Sequence, residues 1–256
     1  MTDAVTTELN EDVFTIRLNR PEAMNAFNDK MVDQLNEAVD FSQSNHQIRS
    51  VIITGNRNCF SAGADLKMFV DWDKSKQDSF ASITKKFHQI ILGIRHLKKP
   101  VIAAVNGIAY GVGFSLAMSC DLRIASHDAK FKQAYTSIGL VPDGGWTLSV
   151  ARQIGMAKTC ELLLLDPIIE AEEMLKLGLV NKIVARDKLE DAAMEIARES
   201  SGKLLGAFAS AKELVNNSIY YDLEKLLEAE IKAIIDATSR DEFRQAIMAF
   251  LKRRNP

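Results

Sequence analysis

The sequence predicts an α/β protein, a strand and helix core that gives way to a helical C-terminal region. Three observations lead there. Short apolar runs at 51–55, 101–105 and 122–125, bounded by turn residues, have the composition of strands covered on both faces. Apolar residues at helical spacing separate the first two of these runs. Beyond about Gly145 helical spacing dominates, interrupted by one strand-like run at 180–184.

The elements follow in chain order. Residues 1–12 are polar and acidic. Residues 13–18 alternate, which predicts a strand with Phe14, Ile16 and Leu18 inward, ended by Asn19, Arg20 and Pro21. Asn28 can cap a helix on which Met31, Leu35, Ala38 and Val39 share a face. After the run at 51–55, residues 67–77 mix charges with Trp72 and show no period, as in a mobile loop or short helix. Phe80, Ile83, Phe87, Ile90, Ile94 and Leu97 mark a long amphipathic helix that Pro100 stops. The strand at 101–105 enters a glycine-rich turn at 106–113, which opens a short helix through 114–118. Near the C-terminus Leu223, Leu226, Leu227, Ile231, Ile234 and Ile235 fall on one helical face. The division expected is a core at 1–195 and a helical region at 196–256.

Composition excludes several classes of function. The chain has 256 residues, 47% hydrophobic, enough for a sizeable core. Lys and Arg (32) nearly balance Asp and Glu (34), so nucleic acid and anionic membrane are not expected partners. Cys59, Cys120 and Cys160 form no CxxC pair and are read as buried free thiols in a reducing, cytoplasmic setting. No apolar run approaches the ~18 residues of a membrane span. His88 and His96 lie near one face of a predicted helix but lack companion ligands in the sequence, so no metal site is expected.

Chemistry concentrates at two glycine-bearing turns that follow buried strands, FSAGADL at 60–66 and NGIAYGVG at 106–113. Glycine permits a sharp turn and lets a ligand approach main-chain N–H groups. Two such groups converging on one oxygen form an oxyanion hole, and the second turn adds a helix N-terminus that favours negative charge. Gly111-Val112-Gly113 could instead open a dinucleotide site, but Leu116 stands where the third glycine belongs and no acid follows at the required distance. Ser115 lacks the second glycine of a nucleophile elbow. Asp65 and Asp121 read as structural residues of turns and caps, and Lys252 to Arg254 as a solvated basic end.

FSAGADL, then KPVIAAVNGIAYGVGFSLAMSCDLRIA, then FKQAYTSIGLVPDGG, in that order and spacing, resemble the crotonase (enoyl-CoA hydratase/isomerase) superfamily. The likeness runs from NRPEAMNAF to the FLKRR ending. It implies a spiral of ββα units with a C-terminal helical trimerisation region, assembled as a homotrimer or hexamer, acting on an acyl-CoA thioester. No cofactor or metal is implied beyond the coenzyme A of the substrate. The resemblance places the oxyanion-hole amides at Ala64 and Val112, and the coenzyme A channel at Ala26, Ala62 and Lys67.

The family's hydratases use two glutamates, whose positions fall on Ser115 and Tyr135. Neither can replace a carboxylate, which leaves them as candidates for substrate binding. An acid stands instead at Asp143, where the family's single-acid isomerases resemble this chain. The resemblance therefore implies an enoyl-CoA isomerase that moves a 3-enoyl double bond to the 2-position, with Asp143 as acid and base. Alternatives are epoxyphenylacetyl-CoA-type isomerisation, hydration, or acyl-CoA binding without catalysis.

Overall fold

The computed structural model describes residues 3–69 and 77–254. Its backbone is a six-stranded sheet in the order β1 (Val5–Asn10), β2 (Val13–Leu18), β3 (Ser50–Gly55), β5 (Val101–Val105), β7 (Leu122–Ser126) and β10 (Lys182–Val184). The β1–β2 pair is antiparallel and every other pairing in this sheet is parallel. The central strands β3, β5 and β7 are buried on both faces, as their short apolar runs require. Ile52, Ile102, Ala104 and Ile124 face Leu189, Ala193 and Ala197 of helix α6 (Leu189–Ser201). The alternate residues Val51, Ile53, Val101, Ala103 and Val105 enter the larger core, with helices α1 (Asp29–Ser44) and α2 (Gln77–His96). The predicted cap on α1 is present: the Asn28 side chain accepts from the Met31 N–H at 3.0 Å.

A second, four-stranded sheet joins β4 (Cys59–Ser61), β6 (Ile108–Tyr110), β8 (Lys130–Lys132) and β9 (Ile169–Glu170). Sequence periodicity misses it, because strands of two or three residues are too short to show a period. It misses β1 for another reason. This edge strand buries Val5 alone as a full residue, so its sequence is polar. The strand expected from 180 starts at Lys182, because the Leu179 and Val180 amides turn back to the Met174 carbonyl.

Short helix α3 (Val112–Ser119) is buried throughout. Helix α4 (Trp146–Leu165) is broken at Gly155, where φ is 80° and ψ 163°, and α5 (Ala171–Lys176) follows β9. Past the break the helix leaves Met156, Leu164 and Leu165 exposed. Cys160 lies on that stretch and is exposed too, which corrects the expectation of three buried thiols. Cys59 and Cys120 are buried, and burial pushes both thiols up to about 12.

Helices α7 (Leu205–Ile219), α8 (Leu223–Thr238) and α9 (Asp241–Arg254) complete the chain. Buried charge pins α7: Lys212 donates to Asp121 at 2.7 Å and to the Ile94 carbonyl at 3.0 Å, while Arg95 donates to Asn216 and Asp121. Asp121 also accepts from the Val101 amide at 2.9 Å, which fits its reading as a structural residue. The division expected at 195 falls inside α6, and we propose that the C-terminal region starts after that helix, at the turn 202–204. Most of the loop or short helix expected at 67–77 lies outside the described residues; Leu66–Phe69 is one turn of 3-10 helix. Among the described residues no helix is long and apolar enough to cross a membrane.

Candidate active site

Strands β4 and β6 run side by side in parallel, so the chain leaves both at the same end. There the two glycine turns meet. A Cβ built on Gly111 would lie 3.7 Å from the Gly63 Cα. Gly111 has φ 52° and ψ −125°, a backbone region that side chains strongly disfavour, and it turns the chain directly into α3. Two residues on, a Cβ on Gly113 would be 2.7 Å from the Ser61 Cβ, so only glycine lets α3 seat on β4 this closely.

These turns set the amides that follow them. Phe27 bonds to both neighbours of Ala64, donating to the Gly63 carbonyl at 2.8 Å and accepting from the Asp65 amide at 2.9 Å. In a parallel bridge of this kind the Ala64 N–H points away from the partner strand. Val112 is the first residue of α3, where helical N–H groups have no helical acceptor. Among the described residues neither amide has a protein hydrogen-bond partner. Both residues line the same cavity of about 780 Å³.

The cavity wall is mainly apolar, with Phe27, Phe80, Ile83, Phe87 and Leu140 from the core. Ile234 of α8 and Ala246, Ala249 and Phe250 of α9 close it from the C-terminal region. Glu22, Asp65, Lys67 and Lys132 bring charge to its lining. Asp65 is bound to Arg20 at 2.9 Å and Lys132 to Asp166 at 3.2 Å, whereas Lys67 is exposed. Among the lining residues Asp143 is the only buried acid.

Asp143 is held by its backbone and by one carboxylate oxygen. Ser115 Oγ donates to the Asp143 carbonyl at 2.6 Å, and Tyr135 Oη lies 2.9 Å from Ser115 Oγ. Burial, and then the charge of Asp143, push the Tyr135 phenol well above its ordinary value, so it remains a hydrogen-bond donor. Asp143 Oδ1 accepts from the Gly144 amide at 2.7 Å and meets His88 Nε2 at 2.5 Å. Behind the pair stands Glu230 of α8, which accepts from the Gly145 amide at 3.1 Å and lies 3.6 Å from His88 Nε2. Burial first, and the neighbouring Asp143 charge second, push Glu230 up to about 9, so it carries a proton at neutral pH.

A family model described as enoyl-CoA hydratase/isomerase matches residues 8–256. The chain belongs to the enoyl-CoA hydratase/isomerase family. A short-chain-enoyl-CoA hydratase of Clostridium acetobutylicum is 32% identical over 94% of this chain and 92% of its own length. The 1,2-epoxyphenylacetyl-CoA isomerase of Escherichia coli is 32% identical over 100% of this chain and 98% of its own. Among solved structures, an enoyl-CoA hydratase from Bacillus halodurans superposes with a TM-score of 0.90 at 28% identity, covering 96% of this chain and 99% of that one. A monofunctional enoyl-CoA isomerase from M. smegmatis gives 0.73 at 30% identity, covering 85% and 94%. The crotonase-type architecture expected from the motifs is therefore present, helical C-terminal region included.

The family's fold brings Ala26, Ala62, Ala64, Lys67, Val112, Tyr135 and Asp143 to one cavity. Ser115 is the exception. It is fully buried beneath the wall, where it holds the Asp143 backbone instead of facing a ligand. His88 corrects a second expectation: far from lacking acidic companions, it sits between Asp143 and Glu230, which tertiary structure brings from distant parts of the chain. These three offer ligand atoms within 4.8 Å of one another, with His88 and Asp143 joined by a 2.5 Å hydrogen bond.

Sequence reasoning missed both residues behind Asp143, although each left a trace. Glu230 is the one acid among Leu223, Leu227 and Ile234 on the buried stripe of α8, and His88 follows Phe87 into the buried side of α2. A titratable group on an apolar helical face is the recoverable signal.

Proposed function

We propose that the protein is an enoyl-CoA isomerase that moves a 3-enoyl-CoA double bond into conjugation with the thioester. One observation carries the reading: among the described residues a single buried acid faces a cavity that also presents two unpartnered main-chain amides on abutting turns. A proton next to a thioester becomes removable by a carboxylate only if the enolate oxygen is stabilised as charge develops. The Ala64 and Val112 amides would supply that, and each such donor contributes about 2.7–4 kcal/mol to transition-state stabilisation. Asp143 takes the proton from C2 and returns it at C4, on the same face of the dienolate, so one base serves both steps. The positions that would carry a hydratase's glutamates hold Ser115 and Tyr135, already engaged with the Asp143 backbone. Ala26, Ala62 and Lys67 are the proposed coenzyme A contacts, and the reaction as drawn needs no resident metal or redox group.

Incubation with 3-enoyl-CoA thioesters of several chain lengths, read by the absorbance of the conjugated product, is expected to show turnover. Conversion of 2-enoyl-CoA to 3-hydroxyacyl-CoA with no turnover of 3-enoyl-CoA would make the protein a hydratase, and binding of both thioesters without any conversion would make it a passive carrier. Rearrangement of an aryl epoxide thioester is the second reading, supported by full-length similarity to the E. coli epoxyphenylacetyl-CoA isomerase.

Homotrimeric or hexameric assembly is proposed alongside, supported by the exposed Met156, Leu164, Leu165 and Ile168 around the end of α4. Sedimentation equilibrium is expected to give three or six times the chain mass; a monomer at micromolar concentration overturns it. The free buried thiols support a cytoplasmic location.

A further inference from the structure

We infer that His88 is a positioning residue for Asp143: it fixes one carboxylate oxygen so that the other faces the cavity, and Glu230 of α8 keeps the ring in place. The inference rests on the reading of Asp143 as the base and goes beyond it. Asp143 Oδ1 is engaged twice, by the Gly144 amide at 2.7 Å and by His88 Nε2 at 2.5 Å. Oδ2 has no protein partner among the described residues and is not sealed from the cavity. One oxygen is anchored and the other is presented.

The ring's own partners assign its proton. His88 Nδ1 is buried with no hydrogen-bond partner among the described residues, so a proton there would be a buried donor without an acceptor, a cost of about 1–3 kcal/mol. The proton therefore sits on Nε2 and is donated to Asp143. Glu230 borders the same nitrogen at 3.6 Å and is itself tied to the Gly145 amide. At 3.6 Å Glu230 is beyond hydrogen-bond distance of Nε2, whereas Asp143 Oδ1 is at 2.5 Å, so the N–H is directed to Asp143.

This geometry suits both halves of the reaction. When Oδ2 takes the C2 proton, Oδ1 becomes the carbonyl oxygen of a neutral acid and still accepts from Nε2–H. When Oδ2 returns the proton at C4, the carboxylate is restored with the same bond intact. The His88 bond to Oδ1 is kept through both halves, and proton exchange stays at Oδ2, where the substrate meets it.

Substitutions at His88 and Asp143 and one spectrum test this. His88→Leu removes the donor and is expected to lower kcat about 10–100-fold, with KM within about threefold of wild type. His88→Gln, whose amide can donate from a similar reach, is expected to recover most of that loss. The groups facing this carboxylate are His88, Glu230 and Tyr135. Added to Asp143→Asn, His88→Leu is expected to cost nothing further. Normal turnover in His88→Leu, or a Gln variant as slow as the Leu variant, overturns the proposal. Should the Leu variant not fold, nitrogen-15 imidazole shifts of wild-type protein decide: a bare Nδ1 and a protonated Nε2 support it, and the reverse overturns it. Full turnover in Asp143→Asn brings down the parent reading and this inference together, whereas an inactive Asp143→Asn beside a normal His88→Leu removes this inference alone.

Discussion

Asp143→Asn is expected to lower isomerase turnover by roughly 10²–10⁴-fold, the usual contribution of a positioned acid–base group. The substitution is close to isosteric. Its Oδ1 can still accept from the Gly144 amide and from His88, so the loop stays in place and only the basic oxygen facing the cavity is replaced. Thioester affinity is expected to change little, because the Ala64 and Val112 amides and the apolar wall are untouched. Steady-state kinetics with calorimetric titration of an unreactive acyl-CoA separate the two effects. Turnover at the wild-type rate would remove Asp143 from the mechanism.

Glu230→Gln is expected to change how stability depends on pH. In the folded chain Glu230 is pushed up to about 9, against an ordinary value of 4.5. Below the lower value both folded and unfolded chains carry the proton, and the contribution of this group is fully present. As pH rises from there towards the folded value, unfolding releases a proton and stability declines. Glutamine does not titrate and escapes that decline. Urea midpoints of the two proteins are therefore expected to agree near pH 4 and to diverge towards pH 9, with wild type weaker by on the order of a few kcal/mol at the alkaline end. Parallel curves across that range would show that Glu230 ionises normally in the folded protein.

The main sheet was legible in the sequence because its strands are long enough to read as runs and are covered on both sides, as with Val101–Val105, whose limits match the expectation. The two turns were legible because glycine is required there for close approach, and Asp143 because its motif follows them in order. The second sheet was hidden by strand length, and β1 by its polarity as an edge. The contact among His88, Asp143 and Glu230 could not be read from one dimension. It depends on α2, the 140–145 loop and α8 packing together, and residues far apart in the chain carry no local sign of the neighbour they will acquire.

Helix α2 bears His88 near its middle and Arg95 at its end. The first residue touches Asp143, and the second belongs to the charged joint that docks α7, with Lys212 donating to the Ile94 carbonyl close by. Directional contacts of this kind specify one register more than they add stability. One rod therefore carries both the support of the reaction centre and the anchor of the last three helices, two of which also wall the cavity. Loosening that anchor, by truncation or by Lys212→Met, would be felt at the reacting carbons before the main sheet opens, so catalysis would fade on heating ahead of global melting.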